Sequence, residues 1–165
     1  MKEKKITISF LEYEVGEELP AGEELLVSKA TEAVSTAYAP YSRFNVGAAV
    51  LMENGEIICG SNQENTAYPS GLCAERVAIF TAKAKYPEMA IKSIAVTAHT
   101  DLFPIEEPLT PCGGCRQVIA ETEMRQKSKI KILMKGESGP IMSVLGIESL
   151  LPLMFHEEKL KKSKL

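Results

Sequence analysis

The hydrophobic and polar positions of the chain follow two different periods, which predict helices in some segments and strands in others. Apolar residues that recur at helical spacing mark helices, whereas two-residue alternation or short β-branched runs mark strands. The pattern predicts helices over 23–38, 73–85, 112–124 and, as a short one, 147–151. It predicts strands over 5–13, 46–52, 56–59, 91–98, 129–134 and 141–145. Asn54 and Gly55, between the second and third strands, favour a tight hairpin turn.

The order of these elements indicates the fold class. A hairpin followed by strands that alternate with helices predicts an α/β protein, a single-domain three-layer α-β-α sandwich with a mixed sheet of roughly five strands. The alternation over 5–13 predicts one more, half-buried strand, so that residues 1–22 are an N-terminal arm. Residues 156–165 are predicted to be a basic, solvated tail. A chain of 165 residues is long enough for one sizeable core and short for two domains.

Composition and charge narrow the possible partners. The formal net charge of −3 gives no basic field that would gather phosphates, which disfavours a nucleic-acid partner and favours a small, uncharged substrate. The sequence has no apolar run of bilayer-spanning length and no signal-peptide pattern at its start, so no membrane partner is expected and the cytoplasm is the default location. Four cysteines, three of them in two tight motifs, suit a reducing compartment and metal ligation.

The candidate chemistry lies in two cysteine motifs, Cys73-Ala74-Glu75-Arg76 and Pro111-Cys112-Gly113-Gly114-Cys115-Arg116. Both begin predicted helices that follow strands, and such helix starts gather at the carboxyl edge of an α/β sheet, so we expect the three thiols to converge on one ion. A helix start also helps a thiol to ionise. Three protein ligands, rather than four, leave a zinc site open for water, as in catalytic centres.

Two kinds of charged residue complete this predicted site. Glu75 lies two residues beyond a ligand, in the first helical turn, where its carboxylate can reach the open position and act as a general acid and base. That arrangement suits the hydrolytic removal of an amine, as in zinc deaminases. Three thiolates around Zn²⁺ leave a formal charge of −1, so a nearby cation is needed, and either Arg76 or Arg116 can donate to the sulfurs.

Each feature also has a simpler interpretation. A lone Cys-x-x-Cys pair is often a structural zinc half-site or a redox pair, and Cys59 as a fourth ligand would make a closed structural site. Phe44 alone is more often a core residue, and Asn62 and Glu64 alone would be an ordinary polar loop. The two histidines, His99 and His156, lie outside both motifs and are most simply structural or exposed.

Taken together, the two motifs resemble those of the small, homotetrameric cytidine deaminases, and the likeness extends from about residue 26 to 155. Residues 39–49 resemble the family's pyrimidine-side segment, in which the position of Phe44 lies against the base. Residues 62–65 resemble its ribose-binding segment, and residues 150–155 match its C-terminal signature. The N-terminal arm over 5–13 and the extended region 137–146 depart from the family pattern.

The resemblance implies a zinc enzyme that hydrolyses cytidine and 2′-deoxycytidine to uridine and 2′-deoxyuridine with release of ammonia, in pyrimidine salvage. It implies that Asn62 and Glu64 bind the sugar 3′-hydroxyl and that Ala74 contributes to substrate binding. Tyr68 and Phe155 would serve the active site of an adjacent subunit, which implies a homo-oligomer, a tetramer by family likeness. Rival hypotheses are a blasticidin-type aminonucleoside deaminase and a non-catalytic zinc module; editing of a base within RNA or DNA would need a basic, aromatic-lined groove.

Overall fold

The computed structural model describes residues 1–156 and forms one mixed sheet with helices on both faces. Within this range the strands are β1 Leu11–Tyr13, β2 Asn45–Met52, β3 Ile57–Ser61, β4 Ile91–His99, β5 Lys131–Lys135 and β6 Ile141–Leu145. The α-helices are α1 Glu23–Ala33, α2 Ala74–Lys85 and α3 Gly113–Gln126. Short 3₁₀ turns occupy Val34–Thr36, Tyr68–Ser70 and Ile147–Ser149. The predicted α/β class is confirmed, with the additional strand β1 completing a sheet of six.

The sheet has the order β1-β6-β5-β4-β2-β3, in which β4 and β5 are parallel and all the other neighbours are antiparallel. Both β3 and β4 run antiparallel to β2, so they point in the same direction and end at the same edge of the sheet. The chain leaves β3 towards α2 and leaves β4 towards α3. The topology therefore brings the starts of these two helices to one edge.

Alternating side chains of the central strands build a core on each face of the sheet. On one face α1 packs Leu26 and Ala30 against Ala49, Ala95 and Leu133. On the other face α2 and α3 cover the larger cluster, which includes the alternate β2 residues Ala48, Val50 and Met52 together with Ile79, Ile94, Ile119 and Ile132. Because successive side chains of β2 point to opposite faces, this strand contributes to the core on both sides of the sheet.

Glycines allow α1 and α2 to approach the sheet closely. A Cβ at Gly47 would lie 2.1 Å from the carbonyl oxygen of Ala30 in α1. A Cβ at Gly60 would lie 2.5 Å from the backbone nitrogen of Ala78 and 2.7 Å from the carbonyl oxygen of Ala74, both in α2. Only glycine fits such approaches of backbone to backbone.

Several predicted elements differ from those observed. The strand predicted over 5–13 is reduced to β1, the three residues that pair with 141–143 of β6, and Ile6, Ile8 and Phe10 remain 47–54% exposed rather than half-buried in a sheet. The helix predicted over 23–38 ends at Ala33 and continues as a 3₁₀ turn, and the one predicted over 147–151 is a single 3₁₀ turn. Most of the predicted basic tail, residues 157–165, lies outside the described part of the chain. No helix within 1–156 has the length and apolar character needed to cross a bilayer.

Candidate metal centre and active site

The three motif cysteines lie together at the edge where α2 and α3 begin. Cys73 and Cys112 are the N-cap residues of α2 and α3, and Cys115 lies in the first turn of α3. The Sγ atoms of Cys73 and Cys112 are 3.6 Å apart, those of Cys112 and Cys115 are 3.5 Å apart, and all three lie within 4.8 Å of one another. Neither cap residue uses its side chain to cap its helix, so both thiols remain available to a ligand.

This donor set fits a zinc ion. Zinc bonds to thiolate sulfur at about 2.3 Å, so two sulfurs of one tetrahedral site are roughly 3.8 Å apart, close to the spacing found here. Among residues 1–156, no other group of three or more cysteine, histidine or acidic side chains has this geometry. Cys59 is not part of the cluster, because its Sγ lies 3.8 Å from the carbonyl oxygen of Lys29 in α1. The fourth cysteine therefore does not close the site.

The cluster favours a thiolate on Cys73, which is less buried than Cys115. Hydrogen bonding to Cys115, and then to Arg76 and Cys112, lowers the pKa of Cys73 to about 5, against an opposing effect of burial. Hydrogen bonding with Cys73 and full burial both raise the pKa of Cys115. The hydrogen bonds of the cluster therefore favour negative charge on Cys73 and oppose it on Cys115, and a cation beside the sulfurs would favour further ionisation.

The two motif arginines have different partners. Arg76 donates from Nη2 to the Sγ of Cys73 at 3.6 Å and to the carbonyl oxygen of Gly71 at 3.2 Å. Its Nε–H is buried and has no hydrogen-bond partner, and the neighbouring sulfur raises the pKa of its guanidinium. Arg76 is thus the arginine beside the thiols.

Arg116 instead donates mainly to backbone carbonyl oxygens. Its Nε donates to the carbonyl oxygen of Pro111 at 2.7 Å, its Nη1 to that of Leu150 at 2.7 Å, and its Nη2 to Thr110 Oγ1 at 3.2 Å. Within the described chain its hydrogen bonds reach no sulfur, so the expectation that Arg116 donates to the thiols is not met. It ties the start of α3 to the C-terminal segment.

A cavity of about 340 Å³ opens at the cluster, a volume suited to a small ligand. Cys73, Cys112 and Arg76 line one part of it together with Glu75, whose side chain is only 4% exposed. Burial raises the pKa of the Glu75 carboxyl, and the charge of Cys73 adds to the effect. A carboxyl group that readily holds a proton therefore lies in the same cavity as two of the three thiols.

Three other predicted residues, Phe44, Asn62 and Glu64, line the same cavity. Asn62 accepts from the backbone N–H of Val46 at 2.8 Å through Oδ1 and donates from Nδ2 to the carbonyl oxygen of Phe44 at 2.9 Å. These two bonds hold Phe44, which directly precedes β2, and the start of that strand.

Glu64 fixes the loop that precedes Phe44. One of its oxygens, Oε2, accepts from the backbone N–H groups of Tyr41 at 2.8 Å and Ser42 at 3.3 Å. Hydrogen bonding, first from the side chain of Ser42, lowers the pKa of Glu64, so this carboxyl is held ionised.

The remaining predicted site residues differ in their surroundings. Tyr68 lines the cavity but is 79% exposed and packs edge-on against Tyr41, with ring centroids 6.3 Å apart. Phe155 is 71% exposed, does not line the cavity, and accepts from Gln117 Nε2 at its carbonyl oxygen. The side chain of Ala74 is fully buried in the core, which leaves only backbone atoms of this residue for a ligand.

Sequence reasoning missed part of the cavity wall. Leu109 and Thr110, in the loop between β4 and α3, also line the cavity, as do Val46, Gln63 and Leu72. The one signal for the loop residues was their position directly before Pro111 and Cys112. The pairs Tyr38 with Gln63 and Gln63 with Leu72, which form isolated bridges, join segments that no local pattern connects.

Comparison with known proteins agrees with this geometry. Residues 21–130 match the family model of the cytidine and deoxycytidylate deaminase zinc-binding region. The cytidine deaminase of Halalkalibacterium halodurans is 39% identical over 135 residues, 82% of this chain and 95% of that protein. That of Sporosarcina psychrophila is 48% identical over 98 residues, 59% of this chain and 68% of that protein.

Solved structures give the same result. The crystal structure of cytidine deaminase from Burkholderia pseudomallei matches with a TM-score of 0.69 at 35% identity, covering 80% of this chain and 98% of that one. That from Mycobacterium tuberculosis matches with a TM-score of 0.63 at 29% identity, covering 84% and 100%. The resemblance first seen in the two cysteine motifs is confirmed, and the chain belongs to the cytidine and deoxycytidylate deaminase family.

Proposed function

We propose that this chain is a cytidine deaminase, which hydrolyses cytidine and 2′-deoxycytidine to uridine and 2′-deoxyuridine with release of ammonia, as a step of pyrimidine salvage. One observation carries the proposal: the buried carboxyl of Glu75 lines the same cavity as the thiols of Cys73 and Cys112. The cytidine deaminase relatives supply the substrate class. Four unpaired thiols suit the reducing conditions of a cytoplasmic enzyme.

Cys73, Cys112 and Cys115 would hold the zinc ion of the family's zinc-binding region. Zinc, when bound, supplies the Lewis acidity that makes water a nucleophile near neutral pH. Arg76, which donates to Cys73, offsets the excess negative charge of three thiolates.

Glu75 moves the protons of the reaction. Its carboxylate takes a proton from the attacking water, and the carboxyl then delivers a proton to the leaving amino nitrogen, so that water adds and ammonia departs. Because its side chain is only 4% exposed, the proton stays in the cavity between these two events.

The other lining residues bind the nucleoside. We assign Phe44 to the base and Asn62 and the carboxylate of Glu64 to the sugar hydroxyl, with Ala74 contributing through its backbone. Tyr68 and Phe155, both largely exposed, would complete the site of a neighbouring subunit in a homotetramer.

The charges of the cavity favour an uncharged nucleoside over a nucleotide. The charged residues that line it are Glu64, Glu75 and Arg76, and the guanidinium of Arg76 already donates to Cys73 and Gly71. A phosphate group near Glu64 would meet like charge, and Arg76 is the one cationic side chain among the described residues that line the cavity. Deoxycytidylate, although it appears in the family's description, is therefore not the expected substrate.

A substrate panel with a matched pair of variants tests the proposal. The wild-type protein should convert cytidine and 2′-deoxycytidine, followed by ultraviolet absorbance, and should convert deoxycytidylate and blasticidin S poorly. Glu75→Gln should keep its zinc, measured on the same sample, and lose at least about 100-fold in kcat, the usual contribution of a general acid and base. Glu32→Gln, an exposed change on α1, is the control.

Three outcomes would contradict the proposal. Full activity of Glu75→Gln would rule out the assigned proton transfer. Conversion of blasticidin S in preference to cytidine would favour the rival aminonucleoside deaminase. Zinc without turnover of any panel member would favour a non-catalytic module.

A further inference from the structure

Phe103 contacts the ring of Phe44 from outside the cavity. The two rings stack with centroids 6.3 Å apart and an interplanar angle of 29°. Phe44 lines the cavity, whereas Phe103 does not line it and is 54% exposed. The ring of Phe103 therefore stacks on a residue of the proposed base site.

The backbone of Phe44 is already fixed by hydrogen bonds. Its N–H donates to Ser42 Oγ at 3.1 Å, and its carbonyl oxygen accepts from Asn62 Nδ2 at 2.9 Å. The preceding residue, Arg43, has a φ of 55°, in the left-handed region that few non-glycine residues adopt. With the backbone held in this way, the orientation of the ring about its side-chain torsions is what remains to be fixed.

The loop that carries Phe103 is anchored on both sides of it. On one side Asp101 accepts from His99 Nε2 at 3.2 Å, and the carboxylate of Glu137 lies 2.7 Å from His99 Nδ1. On the other side the carbonyl oxygen of Ile105 accepts from the backbone N–H groups of Glu137 at 2.7 Å and Ser138 at 3.2 Å. The loop beyond β4 is thus tied to the segment between β5 and β6.

The same loop also leads to the metal centre. After Ile105 it supplies Leu109 and Thr110 to the cavity wall and then Cys112 to the thiol cluster. A stack between Phe103 and Phe44 therefore joins the segment that carries the base-side ring to the segment that carries the metal ligands.

We propose that Phe103 is a positioning residue for the base-binding ring of Phe44, which it holds by stacking while remaining outside the cavity itself. This inference rests on the proposed function. Loss of the stack should weaken binding of the nucleoside and leave the proton transfer at Glu75 unchanged, because Phe103 touches neither the thiols nor the cavity.

Steady-state kinetics with cytidine test the inference in five variants, including Phe44→Ala and its double variant with Phe103→Ala. An aromatic pair contributes about 0.5–1.5 kcal/mol, so Phe103→Ala should raise KM by roughly 2- to 10-fold with kcat within about two-fold of wild type. Phe103→Tyr keeps the stack and should behave as wild type. Leu102→Ala, a truncation of the neighbouring, 56% exposed residue, is the matched control and should change neither constant. In a Phe44→Ala background, Phe103→Ala should add no further increase in KM.

The outcomes separate the two proposals. If the wild type converts cytidine but Phe103→Ala leaves KM unchanged, or raises it equally with and without Phe44, the positioning role is wrong and the proposed function stands. A similar rise in KM for Leu102→Ala would assign the effect to the loop in general and also overturn the role. If the wild type does not convert cytidine, the proposed function fails and this inference fails with it.

Discussion

Single side chains decide how the negative charge of the metal centre is offset. Arg76 follows Cys73 by three residues and Arg116 follows Cys112 by four, so helical spacing puts either guanidinium within reach of a thiol. In the structure Arg76 donates a hydrogen bond to Cys73, whereas Arg116 donates to the carbonyl oxygens of Pro111 and Leu150. The two arginines therefore have separable effects.

Replacing each arginine by glutamine should affect different properties. Arg76→Gln removes a cationic donor from a thiolate ligand, and changes of that kind usually cost about 10- to 100-fold in metal affinity. Arg116→Gln removes three hydrogen bonds, one to Leu150 in the C-terminal segment and two to the loop before α3, and should lower the free energy of unfolding by roughly 1–3 kcal/mol while zinc affinity stays near that of wild type. Competition with a chromogenic chelator and thermal unfolding measure the two effects. A larger loss of zinc in Arg116→Gln than in Arg76→Gln would reverse the assignment.

For single side chains, the sequence predicted which residues form the site better than it predicted which partners those residues contact. The thiols and Glu75 were found because their motifs begin helices, and helix starts after strands of the same direction meet at one edge. The choice between Arg76 and Arg116 depends on Leu150, which is distant in the sequence, so local spacing did not decide it. The stack of Phe103 on Phe44 was missed for the same reason.

The position of α2 on the sheet determines where two residues of the proposed site lie. This helix begins with Cys73 as its N-cap and carries Glu75 in its first turn, and it crosses β3 directly over Gly60. Any shift of α2 away from β3 would move a proposed ligand and the proposed acid and base together.

Gly60→Ala tests this dependence. The added methyl group would lie 2.5 Å from the backbone nitrogen of Ala78, so α2 must move, at a cost of about 1–3 kcal/mol in the free energy of unfolding and with a fall in kcat/KM. Gly114→Ala is the matched control, because a Cβ there meets no atom within 4 Å and alanine favours the helix. Thermal unfolding and cytidine turnover give both readouts. Equal stability of the two variants would show that the close approach does not constrain α2.

Elements that depend on their own pattern were predicted well, and those that depend on a partner were not. The strand Ile141–Leu145 has the predicted bounds, and helices α2 and α3 lie within two residues of theirs. The strand predicted over 5–13 shrank to the three residues that pair with β6, because pairing with a partner strand, and not its own alternation, sets its length. The close packing at Gly47 and Gly60 could not be predicted from the sequence either, because only the structure shows which backbone approaches each glycine.

At the scale of the whole molecule, two aromatic side chains proposed for the site are largely exposed in the single chain. Tyr68 is 79% exposed and Phe155 is 71% exposed, and the side chain of Phe155 does not line the cavity of its own chain. Exposed aromatic residues of this size are typical anchors of protein interfaces. If the proposed tetramer forms, Phe155 would act in a neighbour's site, and Phe155→Ala should lower kcat/KM for cytidine by roughly 10-fold or more.

Mixed assemblies test whether the sites are shared. Glu75→Gln and Phe155→Ala chains, co-expressed with different tags and purified through both, should form assemblies more active than either parent, because a site with an intact Glu75 then receives Phe155 from a Glu75→Gln neighbour. The control replaces the first chain by the Glu75→Gln/Phe155→Ala double variant, which has no phenylalanine to give and should restore nothing. Phe155 does not line the cavity of its own chain, so recovery in the first mixture alone requires the side chain of one subunit to complete the site of another. Equal activity in both mixtures would instead confine each active site to a single chain.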